Sequence, residues 1–254
     1  MEKYTLDPFA FSLEKFYEIT RSRKMIPSRV PLKENMEEQF QLLENQGIEN
    51  LGLLISALDS KDKIMNMVSA TGIPENYLVL LKREAGSYLA KPVPLSDLLG
   101  VPFEFTEVLK SRSIKNTRDF FEAVQTSGQR KEMSETTGIP ENRLQEIFSL
   151  CDLTRITGVG ALYSRIIYDS GIRSTRDFAD TDVSFHVAKY KEVIEKYGYK
   201  VESLAEDDIQ YCIDYARVTW KRALKQNEYE ECFLYRDTAP DAPAPVPYSS
   251  GRAA

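Results

Sequence analysis

Thr71-Gly72-Ile73-Pro74-Glu75-Asn76 recurs unchanged as Thr137-Gly138-Ile139-Pro140-Glu141-Asn142, an offset of 66 residues. The match extends back without a gap to Ile48-Glu49-Asn50 against Ile114-Lys115-Asn116, and 11 of 32 positions are identical between 47–78 and 113–144. A second offset, 58, relates Leu95-Ser96-Asp97-Leu98-Leu99-Gly100-Val101 to Leu153-Thr154-Arg155-Ile156-Thr157-Gly158-Val159. It ends on Thr117-Arg118-Asp119-Phe120 repeated as Thr175-Arg176-Asp177-Phe178. The drop from 66 to 58 means that the first copy carries eight extra residues, and Gly86–Pro94, with Lys91-Pro92-Val93-Pro94, reads as the loop that holds them. A chain that repeats at this period is built from supersecondary units that bury one another's apolar faces.

The repeats read as helical. Leu51, Leu54, Ile55 and Leu58 fall at i, i+3, i+4 and i+7, one face of a helix. Gly72-Ile73-Pro74-Glu75 reads as a helix exit at glycine followed by a new first turn holding Pro and Glu. No segment alternates with period two long enough to argue a sheet. The fold expected is all-α, with Phe120, Phe121 and Phe178 at equivalent core positions. Solenoid-like stacking and a compact array both satisfy the pattern.

Outward from the repeats, an N-terminal helical arm is expected over 1–36, with an amphipathic helix in 8–24 and a break at Pro27 and Pro31 before a helix at about 34–46. The first unit then spans 37–112, the second 113–182, and a degenerate third 183–236, which lacks the Thr-Gly-Ile-Pro signature. Residues 237–254 hold four prolines and five alanines and read as a flexible tail.

The sharpest local motif is Leu153-x-x-Ile156-Thr157-Gly158-Val159-Gly160 running into Ala161-Leu162-Tyr163-Ser164-Arg165. Two helices meeting at a Gly-hydrophobic-Gly turn form a helix-hairpin-helix pattern, whose second helix offers backbone N–H groups at its positive end. The candidate phosphate contacts are Gly158, Val159, Gly160 and Arg165. A dinucleotide-binding G-x-G-x-x-G is excluded because Tyr163 stands at the third glycine and no strand precedes the turn. The earlier copy has Gly100-Val101-Pro102 and then Glu104, which would repel phosphate. The basic residues Lys110, Arg112, Lys115, Arg118, Arg173 and Arg176 gather at repeat junctions as a candidate polyanion patch. Glu104, Glu107, Asp119, Asp169 and Asp177 are interspersed, which favours a solvated, salt-bridged surface.

The stretch from Thr137-Gly138-Ile139-Pro140 through Leu153-x-Arg155-Ile156-x-Gly158-Val159-Gly160 to Gly171-Ile172 resembles an uncharacterised bacterial family of tandem helix-hairpin-helix domain proteins. Leu13-Glu14-x-Phe16-Tyr17 and Ile26-Pro27-Ser28-Arg29 are similar to longer members. The resemblance implies that fold and a general binding role, with no activity to carry over. Where many such hairpins place Lys or a small polar residue after the second glycine, this chain has Ala161, Leu162 and Tyr163.

Composition narrows the function classes. Thirty-three Lys plus Arg against 39 Asp plus Glu give a formal net charge of −6 over 254 residues, which argues against a generally basic nucleic-acid coat. Residues 1–7 lack a basic start followed by an apolar run, and Leu51–Leu58 falls far short of the roughly 20 residues needed to cross a bilayer, so a cytoplasmic protein with no membrane partner is expected. Cys151, Cys212 and Cys232 are too widely spaced for a zinc site or a disulfide framework. His186, the one histidine, has no nucleophile motif beside it and is expected to be structural. Tyr211, Tyr215 and Trp220 are expected in a core or against a partner. With no catalytic constellation, the expected protein is a non-enzymatic binding or scaffold protein without metal or cofactor. It binds a protein partner or itself, and sequence-independent nucleic-acid backbone binding through 156–165 is the rival reading.

Overall fold

Asn50, Asn116 and Ser174 do the same work in three places along the chain. Each is extended, and its side chain accepts a backbone N–H from the first turn of the helix that follows: Leu53, Asp119 and Asp177 respectively. These caps start three short helices, α3 (Leu51–Ala57), α7 (Thr117–Ala123) and α11 (Thr175–Ala179). Each cap contributes about 1 kcal/mol of helix stability. We describe a computed structural model over residues 3–201 and 205–220.

A second set of caps follows. Ser60, Thr126 and Asp182 start α4 (Lys61–Thr71), α8 (Ser127–Thr137) and α12 (Val183–Tyr197), and Thr126 forms a reciprocal capping box with Gln129. All three helices end on a left-handed glycine, Gly72, Gly138 or Gly198. The third unit therefore keeps the stop signal although its Ile-Pro is lost. The chain next enters α5 (Glu75–Gly86), α9 (Glu141–Leu153) or α13 (Glu206–Trp220), which lies back across the short helix of its own unit.

The helix ahead of each short helix also repeats, as α2 (Met36–Asn45), α6 (Phe103–Ser111) and α10 (Ala161–Asp169). α6 and α10 are related by the sequence offset of 58. Between each of these helices and the next cap stands a residue of positive φ: Gly47, Ser113 and Gly171. Upstream, Ser12 pairs with Asn50 as Pro94 pairs with Asn116, each through two backbone hydrogen bonds of 2.8–3.0 Å. Twenty-two residues separate the bridge partners in the second unit and 38 in the first. The N-terminal arm is thus the hairpin of the first unit, sixteen residues longer than that of the second, and it carries α1 (Leu13–Ser22) and the 3₁₀ turn Pro27–Lys33. The eight extra residues before the second hairpin are the non-helical linker that follows α5, whereas α9 runs on directly to Leu153.

Leu51, Leu54 and Leu58 have no exposed surface, and Phe120, Phe121 and Phe178 are at most 2% exposed, as their periodicity requires. The apolar side chains form three clusters, and numbered by these clusters the units are α1–α5, α6–α9 and α10–α13, so that Phe103 falls in the second and Arg165 in the third. Two long-range exchanges tie them together. Tyr4, near the chain start, lies in the second cluster, and its hydroxyl hydrogen-bonds Thr117 at 2.8 Å and Thr154 at 2.9 Å. Tyr215 of α13 lies in the first cluster, while its neighbours Ile209, Ile213 and Ala216 lie in the third. The units form a closed array rather than an open solenoid, and the fold is all-α, with no strand among the described residues. Residues 237–254, Cys232, Lys221, Arg222 and Lys225 lie outside the described residues.

Ser113 is the one member of its trio with a Cβ in the left-handed region, at φ 67°. Ser113→Gly relieves that strain against a smaller entropy loss, for a net gain of about 0.5–1 kcal/mol. Thermal unfolding is expected to rise by about 2–4 °C in a calorimetric scan.

Candidate functional site

The hairpin at 153–160 forms because three apolar side chains point inward along it. Leu153, Ile156 and Val159 are buried at 0, 2 and 8% exposure. The turn closes through backbone bonds from Ile156 N to Leu153 O at 3.2 Å and from Val159 N to Ile156 O at 3.0 Å. Gly158 takes φ +85° and is exposed, and an added Cβ would lie 3.4 Å from the Cys212 sulfur of α13. Gly160 caps α10 without a side chain, so the first-turn N–H groups of that helix receive none from the cap. Behind the turn, Val159, Tyr163, Phe178, Tyr190 and Cys212 enclose a cavity of about 30 Å³, room for about one water. Burial pushes the Cys212 thiol up to about 12, which makes it an unreactive packing group.

Arg165 is not at the surface of this turn. Its side chain is 3% exposed, and its guanidinium grips Asp169 through two bonds, at 3.0 and 2.6 Å, while also bonding Glu146 of α9. Arg143 pairs with the second oxygen of Glu146 and donates to the Gly100 carbonyl at 2.7 Å. Tyr199 donates to Asp169 at 2.6 Å. Burial opposes the charge on Arg165, but the hydrogen bonds and charges of Asp169 and Glu146 outweigh it and raise its pKa. The guanidinium also fills the space a side chain would need at Gly100, where a Cβ would sit 2.9 Å from Nη1. Arg165 therefore couples the hairpin at 158 to the hairpin at 100, and its charge is matched inside the protein.

The remaining basic residues are dispersed in their commitments. Arg173 stacks on the Tyr168 ring at 3.8 Å and donates to the Tyr168 carbonyl. Arg112 bonds the Thr136 hydroxyl at 3.0 Å and its carbonyl. Lys110 pairs with Glu107 at 3.1 Å. Arg118 lies 6.0 Å from the Tyr4 ring, and Arg176 is half-buried. Lys115 is exposed, and Asp119 bonds its backbone N–H at 2.9 Å.

The hairpin at 98–102 repeats the turn, with Gly100 at φ +79° and Pro102 as the cap of α6. It carries Phe103 with 72% of its surface exposed, beside exposed Glu104. Phe9, Met65, Phe185 and Val187 are other large apolar side chains that face solvent, at 37–60% exposure.

Glu146 and Glu84 were not legible as site residues, because neither belongs to a motif and Arg165 on Glu146, like Arg23 and Arg29 on Glu84, comes from a distant stretch of chain. Asp169 carried a signal, since it stands four residues after Arg165. His186 is buried within the rings of Phe178, Phe185 and Tyr190 and contacts Thr181 Oγ1 through Nε2 at 2.6 Å. Among the described residues, no group of three or more His, Cys, Asp or Glu is placed to hold a metal ion, and no helix is long and apolar enough to cross a membrane.

Residues 101–218 match a family described as a domain of unknown function (DUF4332). The matched stretch runs from within the second hairpin to within the last turn of α13 and so contains Arg143, Glu146, Arg165, Asp169 and the hairpin at 158. No curated protein and no solved structure matches the chain.

Two outcomes follow from this geometry. Arg165→Met leaves Glu146 and Asp169 short of a buried counter-charge and is expected to lower unfolding stability by about 3 kcal/mol, read from the denaturant midpoint. Burial depresses the His186 pKa from 6.5 to about 4, with Asp182 opposing the shift only weakly. The folded state thus binds the proton less well than the unfolded chain. Its contribution to stability is complete above pH 6.5 and is lost as pH falls towards 4. His186→Phe is expected to flatten the stability profile across that window.

Proposed function

We propose that the chain is a non-enzymatic scaffold whose helix-hairpin-helix units bind another protein or a second copy of the chain. The tandem helix-hairpin-helix character of the matched family belongs to this proposal. The observation that carries it is the contrast between the two hairpins. At the third unit, the arginine that would meet phosphate is buried between Glu146 and Asp169. At the second, Phe103 stands 72% exposed at the start of α6, directly after the turn. An aromatic side chain of that size held on a rigid turn is an anchor of the kind that dominates protein–protein contacts. The adjacent Glu104 and the overall charge of −6 disfavour a phosphate partner at the same place.

A second reading, nucleic-acid backbone binding through 156–165, draws on one observation. Gly158 is exposed, and the N-terminus of α10 has no side-chain cap, so the turn still offers backbone donors to an anion. Nothing in this reading uses Arg165, and the donors are backbone groups alone.

One experiment separates the two. Purified chain is passed through light scattering and affinity capture, and the same preparation is titrated into labelled duplex and single-stranded DNA at low salt. The scaffold reading expects a self-associated or partner-bound species that Phe103→Asp weakens at least tenfold with the thermal midpoint unchanged. A monomer that captures nothing, with anisotropy that rises on DNA and collapses steeply with salt, would reverse the assignment.

A further inference from the structure

α13 is shared between two units that are far apart in sequence. Its Ile209, Ile213 and Ala216 complete the third cluster, and its Tyr215 enters the first, with Tyr211 and Val218 packed beside it. The contact with the first unit centres on Glu84 of α5, whose side chain has no exposed surface. Arg23 bonds one Glu84 oxygen, and Arg29 lies 3.4 Å from the other. Tyr215 donates to Glu84 at 2.8 Å and Tyr211 at 3.1 Å. The Arg23 guanidinium lies 4.6 and 4.3 Å from the Tyr211 and Tyr215 rings, which meet edge to face at 4.7 Å. On the rim, Lys24 pairs with Asp207 at 2.6 Å. Arg23, Lys24 and Arg29 all lie between α1 and α2, in the hairpin that is sixteen residues longer than its counterpart.

This junction differs in kind from the one between the second and third units. There α9 and α10 are covalently joined across a turn, and buried Asp152 is met by Arg155 at 2.6 Å and by the Thr175 backbone N–H at 2.6 Å. Between the first unit and α13 no chain crosses. Arg23 Nε and Nη1 are sealed from water there and have no hydrogen-bond partner. Donors left in that state lose their hydration without recovering it, a penalty that opening removes because water reaches them.

We propose that the inserted segment and α13 form a clasp. The array opens at the Arg23–Glu84–Tyr215 contact, with α13 staying on the third unit and the first unit swinging away. Opening returns water to Arg23 and uncovers the carboxylate of Glu84 with the faces of Tyr211 and Tyr215. The closed and open forms then differ in separation between α1 and α13 and not in helix content. The inference stands apart from the scaffold reading, since it concerns how the units are held and not what they bind.

The test uses spin labels on the full chain with Cys232→Ser. One pair, Glu18→Cys with Glu206→Cys, spans the clasp from exposed sites on α1 and α13. A control pair, Asp180→Cys with Glu206→Cys, lies within the third unit. Glu84→Gln removes the buried charge, and Tyr215→Phe, the milder change, removes only one hydroxyl while keeping the ring. Each is expected to add a longer distance across the clasp, with the control distance and the circular dichroism unchanged. A clasp distance that stays single and unaltered in Tyr215→Phe overturns the proposal. So does simultaneous broadening of both pairs, because the array would then melt as one body. If Glu84→Gln does not fold, Tyr215→Phe decides alone.

Discussion

Glu84 lies on a helix of the first unit with no surface open to water, and the first unit's own repeat supplies nothing to neutralise it. Its partners are Arg23 and Arg29, from the residues inserted into the first hairpin, and Tyr211 and Tyr215, from the last helix described. Breaking a buried pair by removing one partner costs several kcal/mol, whereas an intact pair is near break-even against apolar packing. The contact therefore acts less as glue than as a condition on geometry: Glu84 meets its full set of partners only where α13 lies against the first unit. That condition turns a row of three units into a closed array and accounts for the long excursion of the N-terminal arm.

The same logic governs the hairpins. A turn of glycine, apolar residue and glycine is suited to approach a phosphate, yet here each turn is engaged from behind. Cys212 of α13 backs the turn at 158, and the Arg165 guanidinium occupies the place a side chain would take at Gly100. The arginine expected to reach outward is instead the bolt between successive units, held by two carboxylates. The motif serves as an assembly element, and the large apolar side chain beside it that stays most exposed is Phe103.

Much of the fold was legible in the sequence because it rests on local rules. Gly72 and Gly138 stop helices in the conformation glycine favours, Asn50 and Asn116 begin them as caps, and the Leu51–Leu54–Leu58 stripe faces inward as its spacing demands. The third unit was under-read, since its identity rests on cap positions that survive after the Thr-Gly-Ile-Pro letters are gone. The site was far less legible. Arg165 has the charge and place of a phosphate ligand, and only Asp169, one helical turn on, hints at another use. Its second partner, Glu146, lies nineteen residues back across the turn, a relation that periodicity does not report. Tyr215 has a helical neighbour pattern in sequence, yet the core it enters belongs to residues some 130 positions earlier.

Tyr215 is made long after the unit it completes. A ribosome releases Glu84, Arg23 and Tyr88 well before α13 leaves the exit tunnel, so the first core must wait, short of a ring and with its carboxylate only partly matched. Tyr4 is in the opposite position: made ahead of both its partners, it finds Thr117 and Thr154 only after two units have been built. The two exchanges tie residues made early to partners made late, and the first cluster is complete only once synthesis has passed α13. Vectorial growth, the natural habit of repeat arrays, therefore leaves the first core open until α13 has been made.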